Sequence, residues 1–345
     1  MAIIKGKAEN QDDIRVLFNL LDEIVVRESL FVIAKLKIAD ILDKKPCTYA
    51  ELARVTKVLE EPLRRVMRLL ASVGIFRESR TGRVSLTRLG KRLRTNDCGF
   101  HKIILLEGSP WRVGPLIELL ETVKTGKNPY YGKMGYSDIF EYLDRYPREK
   151  VIFDDAMDAY LSFSPRQQTV LENYDFSKIK TIVDVGGGFG KFLFAILSKY
   201  KHIHGILFDL PETASTIRKE KLIEKAGLAS RCKVMAGDYF KSIPGPVDLC
   251  MMNNILVHWD DAHANTILRN CVKALAPGGR VLAIDFMVRN KFSLANIVDI
   301  EFLCKTKNGR ARTEQEFLRL FKRGGLSKNK TFASDKVTWV EGIKG

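Results

Sequence analysis

Three acidic residues close three successive apolar runs in the second half of this sequence, and the first run leads straight into alternating glycines. The run TIVDV carries Asp184 and continues as Gly186, Gly187, Gly188, Phe189 and Gly190. HIHGILFD ends on Asp209, and CKVMAGD ends on Asp238 with Tyr239 and Phe240 behind it. Each feature suits one part of a nucleoside. Glycines let a ligand approach the backbone and permit positive φ. A carboxylate about 20 residues beyond such a loop can accept both hydroxyls of a ribose, each charged hydrogen bond contributing roughly 1.5–3 kcal/mol. Asp238 can accept from an adenine amino group, with the rings of Tyr239 and Phe240 to pack on the base. The glycines repeat as GxGxG and not as the GxGxxG of dinucleotide folds, so no pyrophosphate is expected. Taken singly, the loop reads as a tight turn and Asp238 as a helix cap. The joint occurrence at three strand ends points to a nucleoside-type ligand.

Other residues carry weaker signals. Asn253 and Asn254 end a fourth apolar run, where a buried strand prefers apolar side chains, so both are expected to face a pocket. His202 and His204 flank Ile203 on an expected strand and would share one face, but without a nearby third ligand packing is expected there and no metal.

These residues need a frame that presents strand ends. From Lys180 onward short apolar strands alternate with helices, as in a parallel doubly wound sheet. Before it, residues 11–45 carry apolar positions at helical spacing, Leu17, Leu20, Leu21, Ile24 and Val25 on one face and a second run from Ser29 to Leu42, so two helices are expected. Thr48 and Glu51 form a capping box ahead of a third helix. A fourth runs from Glu60 to Val73 with Pro62 in its first turn and Gly74 as its cap. IFRESRTGRVSLT then reads as a hairpin about Thr81-Gly82. Helix, helix, hairpin describes a winged helix, whose second helix, bearing Arg64, Arg65 and Arg68, serves either to enter a DNA groove or to pack on a partner subunit. Trp111 to Val123 reads as a helix, 127–137 as a Gly/Pro/Tyr-rich loop, and FDDAMDAY, 153–160, as part of another helix. The expected division is 1–95 winged-helix domain, 96–176 helical connector and 177–345 ligand-binding domain.

Composition narrows the class. The chain of 345 residues, 46% hydrophobic, is large enough for ordinary domains and too apolar for disorder. It shows no apolar run of about 18 residues and no secretory-type opening, so a cytoplasmic protein without membrane insertion is expected. Six scattered cysteines without a CxxC argue against zinc and disulfides. The net charge of +16 sits at the two ends of the chain, leaving the glycine-rich region nearly balanced. A solvated basic surface is expected in preference to a nucleic-acid partner.

The motifs VDVGGGFG, FDLPE, AGDYF, HWDDAHANTILRN, ALAPGGRVLAIDF and RTEQEF, spread over nearly the whole chain, resemble those of a known family. It is the class I S-adenosylmethionine-dependent O-methyltransferases with an N-terminal winged-helix dimerisation domain, which include plant caffeic-acid-type, acetylserotonin-type and bacterial natural-product enzymes. The resemblance implies an α/β fold with a Rossmann-like C-terminal sheet, a homodimer whose winged helix does not read DNA, and a small aromatic or polycyclic acceptor. It implies S-adenosylmethionine held by Asp184, Gly186, Gly188, Gly190, Asp209, Leu210, Asp238, Tyr239 and Asn253. Phe153, Met157, Asn254 and Val257 are implied at the acceptor. Phe153 and Met157 read equally well as ordinary core.

The catalytic positions depart from that family. Its plant-type members place a general-base histidine two residues before the Trp of a WDD-like motif; in ILVHWDD that position is Val257, and His258 follows one residue later. A one-residue shift redirects a side chain by about 100–180°. Asp299 matches one acid that supports the family histidine, but the second is Ala311. Three readings stand: His258 as base, transfer by positioning alone, which orientation can support with roughly 7–11 kcal/mol, or chemistry other than O-methylation, such as C- or N-methylation. A degenerate scaffold or DNA-binding regulator on the same fold is the alternative from another class.

Overall fold

A computed structural model of the chain describes residues 10–130, 134–163 and 165–345. The start of the chain, read above for a secretory signal, and the centre of the 127–137 loop lie outside them. The described residues form two compact units, one of 10–117 with 141–163, the other of 118–140 with 165–345.

In the first unit a helix runs unbroken over Asn10–Lys35 and a second over Ile38–Lys44. The expected break near Ser29 is displaced to Lys37, which adopts the left-handed conformation at φ 50. No Gly or Pro interrupts the first run, and the turn at Lys37 lets Ile38, Ala39 and Leu42 enter the core. The capping box forms: Thr48 Oγ1 accepts from the Glu51 N–H at 3.2 Å and Glu51 Oε2 accepts from the Thr48 N–H at 2.7 Å. Helices Tyr49–Thr56 and Glu60–Ser72 follow, then strands β1 (Phe76–Glu78) and β2 (Val84–Leu86), paired antiparallel. Leu52, Leu63, Met67 and Leu70 from the two helices pack with Phe76 and Val84 of the hairpin. This is the winged helix expected from the sequence.

The segment read as one helix from Trp111 is two, Pro110–Ile117 and Leu119–Thr125. Pro115, which has no N–H to donate, sits in the turn before the break.

The second unit is built on a seven-stranded sheet. Its strands are β3 (Thr181–Val185), β4 (His204–Asp209), β5 (Cys232–Ala236), β6 (Val247–Asn253), β7 (Leu275–Ile284), β10 (Leu326–Ala333) and β11 (Thr338–Lys344), in the order β10-β11-β7-β6-β3-β4-β5. A separate pair joins β8 (Met287–Val288) to β9 (Arg312–Thr313). Strands β3 to β7 pair in parallel, while β11 runs antiparallel to β7 and β10. Side chains alternate between faces: Ile182, Leu249, Met251 and Leu282 fill one core, and Val183, Val185, Cys250, Met252 and Val281 the other. The chain steps from β3 through β4 to β5 on one side and returns through β6 to β7 on the other. The crevice for a ligand therefore opens at the carboxyl ends beside β3. No described helix is long and apolar enough to cross a membrane.

Candidate functional site

The loop after β3 is folded by its glycines. Gly186, Gly188 and Gly190 hold φ of 66, 56 and 80, a region costly for side chains with a Cβ. A Cβ on Gly186 would lie 2.5 Å from Ile255 Cδ1, and one on Gly187 would lie 2.7 Å from the Asp184 carboxylate. On Gly188 it would meet nothing within 4 Å, so this residue faces the open side of the loop.

Two acids support that loop. Asp209 Oδ2 accepts from the Gly188 N–H at 2.8 Å, and its Oδ1 accepts from the Leu210 N–H at 2.8 Å. Asp184 is 2% exposed, and its Oδ1 has no partner among the described residues. Burial, reinforced by the charge of Asp209, pushes its carboxyl up to about 7. The Asp209 carboxylate beside the glycine cradle repels a phosphate and suits a ligand carrying positive charge.

Asp238 lies two residues past β5. It does not cap a helix: its Oδ1 accepts from the Phe240 N–H at 2.8 Å, closing a turn. The turn is pinned from behind by Asn270 Nδ2, which donates to the carbonyls of Tyr239 and Phe240 at 2.9 Å each. Tyr239 reaches the loop, its Cε1 lying 3.6 Å from the Cβ position of Gly186. Its hydroxyl accepts from Trp259 Nε1 at 3.2 Å, and Phe240 meets Trp259 edge-on at 4.7 Å. An aromatic wall thus stands beside the cradle. Asn253 ends β6 opposite Ile284. Asn254 follows in a left-handed conformation at φ 56 and accepts from Arg166 at 2.7 Å.

The next turn, Leu256–His258, carries the residues expected at the acceptor. Val257 is fully buried, its N–H donating to Asp285 Oδ2 at 3.0 Å. The His258 ring stacks on Phe302 at 5.1 Å and meets Phe140 edge-on at 5.6 Å. Its Nδ1 has no partner among the described residues, and burial lowers its pKa to about 4, so the ring is neutral at pH 7. Asp299 accepts from the peptide N–H of Ala311 at 2.9 Å. It braces backbone at the position where the family's second acid is missing.

Sequence reasoning missed three ionic residues here. Asp285, one residue past β7, is 2% exposed. Arg166 lies 4.6 Å over the Phe286 ring. Arg312 is fully buried and donates to Asp261 Oδ1 at 2.9 Å, the Leu256 carbonyl at 2.8 Å and the Trp259 carbonyl at 2.7 Å. The only sequence signal was an acid following the apolar run RVLAI, as at the other strand ends.

Phe153 and Met157 belong to helix Pro147–Phe163 of the other unit, where both are half-buried beside the fully buried Ala156. His202 and His204 do not share a strand face. His202 sits in the turn before β4, and both are exposed around the buried Ile203.

Comparison with known proteins gives the same frame. Residues 116–327 match the O-methyltransferase domain model, and residues 18–96 the O-methyltransferase dimerisation domain model. The phenazine O-methyltransferase of Lysobacter antibioticus is 32% identical over 90% of this chain and 90% of its own. The aclacinomycin 10-hydroxylase of Streptomyces purpurascens is 32% identical over 91% and 85%. An O-methyltransferase from neocarzinostatin biosynthesis, solved with S-adenosylmethionine and 2-hydroxy-5-methyl naphthoic acid, superimposes with a TM-score of 0.78 at 27% identity, covering 93% of this chain and 96% of that one. With both models matched in chain order on a winged helix followed by a doubly wound sheet, this chain belongs to the O-methyltransferase family that carries an N-terminal dimerisation domain.

Proposed function

We propose that this protein transfers a methyl group from S-adenosylmethionine to a hydroxyl of a small aromatic or polycyclic acceptor, and that it does so mainly by positioning. The cofactor supplies an activated methyl on a sulfonium. Gly186, Gly188 and Gly190 let it lie against backbone, Asp209 complements its positive charge, and Asp184 offers its unpartnered buried oxygen. Asp209, with Leu210 beside it, accepts from the ribose. Asp238, Tyr239 and Asn253 bound the adenine. The observation that carries this reading is the open face of Gly188 beside two acidic side chains, one with an unpartnered buried oxygen.

Acceptor chemistry follows from the turn at 256–258. Val257 offers no base, and a histidine with pKa near 4 holds a proton too weakly to take one from a phenol, whose own pKa is about 10. The acceptor proton therefore leaves to solvent. His258, Phe140 and Phe302 supply flat surfaces for an aromatic ring, with Val257 and Asn254 as the further acceptor contacts of this unit. Asp299 holds the Ala311 N–H next to Arg310, whose own N–H donates to the Val257 carbonyl at 2.8 Å.

The working form is a homodimer in the cytoplasm. Arg64 and Arg65 are paired with Glu60 and Glu61 of their own helix, which supports a packing role for the winged helix over DNA reading.

Calorimetry tests the site: wild type is expected to bind S-adenosylhomocysteine at micromolar concentration, about −8 kcal/mol, and Asp209→Ala to abolish binding. Labelled methyl transfer to hydroxylated phenazines and naphthoates tests the activity. A wild-type protein that binds neither form of the cofactor sinks both.

A further inference from the structure

Asp285 is more constrained than the end of a strand requires. Both carboxylate oxygens are committed, Oδ1 to the Phe286 N–H at 2.8 Å and Oδ2 to the Val257 N–H at 3.0 Å. A buried carboxylate costs several kcal/mol unless it is paired and hydrogen-bonded, and packing alone would favour a small apolar residue here. Its counter-charge is Arg166, which stacks on Phe286 and donates to Asn254 Oδ1 at 2.7 Å. Asn254 is itself held by its N–H on the Ile284 carbonyl at 2.9 Å.

The opposite pole of the same turn is gripped by Arg312, through the carbonyls of Leu256 and Trp259. Charged side chains from separate elements thus hold two peptide groups of this turn, the one between Leu256 and Val257 from both its N–H and its C=O, and the one after Trp259. The turn includes Val257 and His258, the two side chains whose direction matters most to the acceptor.

We propose that Asp285, with Arg166 as its counter-charge, is a positioning residue for methyl transfer: its carboxylate fixes the Val257 peptide and so aims the side chains at 257 and 258 toward the reacting hydroxyl. This rests on the reading of that turn as the acceptor side of the site. Ionisation matters because a carboxylate accepts from both amides, whereas a carboxylic acid turns a donor toward one of them. Burial pushes the Asp285 carboxyl up to about 6, against the two amides, Arg166 and Arg312, which hold it down. Those two arginines are the charged groups facing it. From β11 it meets the neutral Thr338, whose hydroxyl donates to the Asp285 carbonyl. Protonation below about pH 6 therefore loosens the grip on Val257.

Three measurements on the full chain test this: methyl transfer to hydroxylated phenazines and naphthoates, affinity for S-adenosylhomocysteine, and hydrogen exchange at the Val257 amide. Asp285→Asn is expected to lower kcat about 10–100-fold, the cost of a misplaced reacting geometry. Its cofactor-product affinity should stay within about threefold of wild type, and Val257 exchange should accelerate while the amides of β6 and β7 keep their protection. The ratio of wild-type to Asp285→Asn kcat, in which the titrations of Asp184 and of the acceptor cancel, is expected to fall on the acid side near pH 6. Arg166→Gln should move that limb to higher pH, because it removes a charge favouring the carboxylate. Unchanged kcat in Asp285→Asn, or an acid limb that stays in place in Arg166→Gln, overturns the proposal. So does loss of product affinity in step with kcat, which marks a general structural role. Failure of wild type to bind S-adenosylhomocysteine would instead remove the reading of the site, while Val257 exchange still judges the clamp by itself.

Discussion

Gly188 is the single position where the cradle can be tested without disturbing the core, since a methyl there meets no protein atom within 4 Å. Its φ of 56 still penalises any L side chain by roughly 1–2 kcal/mol. Gly188→Ala should therefore fold with a modest loss of stability, yet bind S-adenosylhomocysteine at least about tenfold more weakly, about 1.4 kcal/mol; calorimetry and thermal melts separate the two effects. His258 offers a second residue-level test. Its folded pKa of about 4 lies below the ordinary 6.5, so the unfolded chain takes up its proton first. Wild-type stability should decline through this residue as pH falls from 6.5 toward 4. Asp184 and Asp285, whose pKa values are raised, act with the opposite sign, so the measurement is the difference between wild type and His258→Gln in denaturant titrations across that window. A pH-independent difference would show that the ring is not buried as a neutral group. The two acids at the loop, the glycines and the acid after β5 were legible as residue types at strand ends. The state of His258 was not, because it depends on Phe302 and Phe140 closing over the ring.

At the scale of elements, the turn Leu256–His258 is the piece that the fold must hold against its own preference. It has one short helical turn and no side-chain cap, so its geometry comes from neighbours. Arg312→Met keeps the volume of the buried side chain but strands two carbonyls and the Asp261 contact. It should cost about 2–4 kcal/mol, read as a lower denaturant midpoint with an unchanged slope. Local devices were readable in advance: the Thr48 and Glu51 capping box needs partners only three residues apart, and it forms as the spacing predicts. The first helix shows the limit of that approach. Apolar spacing located the helical residues in 11–45, but the stop at Lys37 depends on Ile38 and Leu42 entering a core made by later elements.

At the scale of the molecule, the helix Asn10–Lys35 leaves Leu17, Phe18, Leu21 and Val25 between 54% and 70% exposed, within a region matching the dimerisation domain model. Such a surface on one chain is expected to be covered by a second copy. Leu17→Glu with Leu21→Glu should shift the protein from dimer to monomer in sedimentation or light scattering while the sheet unit keeps its affinity for S-adenosylhomocysteine. An unchanged mass would show that this face does not hold the dimer. The sequence by itself determined the winged helix, the doubly wound sheet and the glycines and acids at its strand ends, because periodicity, turn chemistry and residue type are properties of neighbouring residues; the departure at Val257 was legible only through the family resemblance. Only the tertiary structure decided what holds the turn Leu256–His258 and how its histidine is buried. Asp285 and Val257 lie 28 residues apart, Arg312 and Leu256 lie 56 apart, and Arg166 and Asn254 lie 88 apart. Hydrogen-bond partners and desolvation at such separations are set by which strands and helices come to pack together, a property of the whole fold and not of any stretch of it.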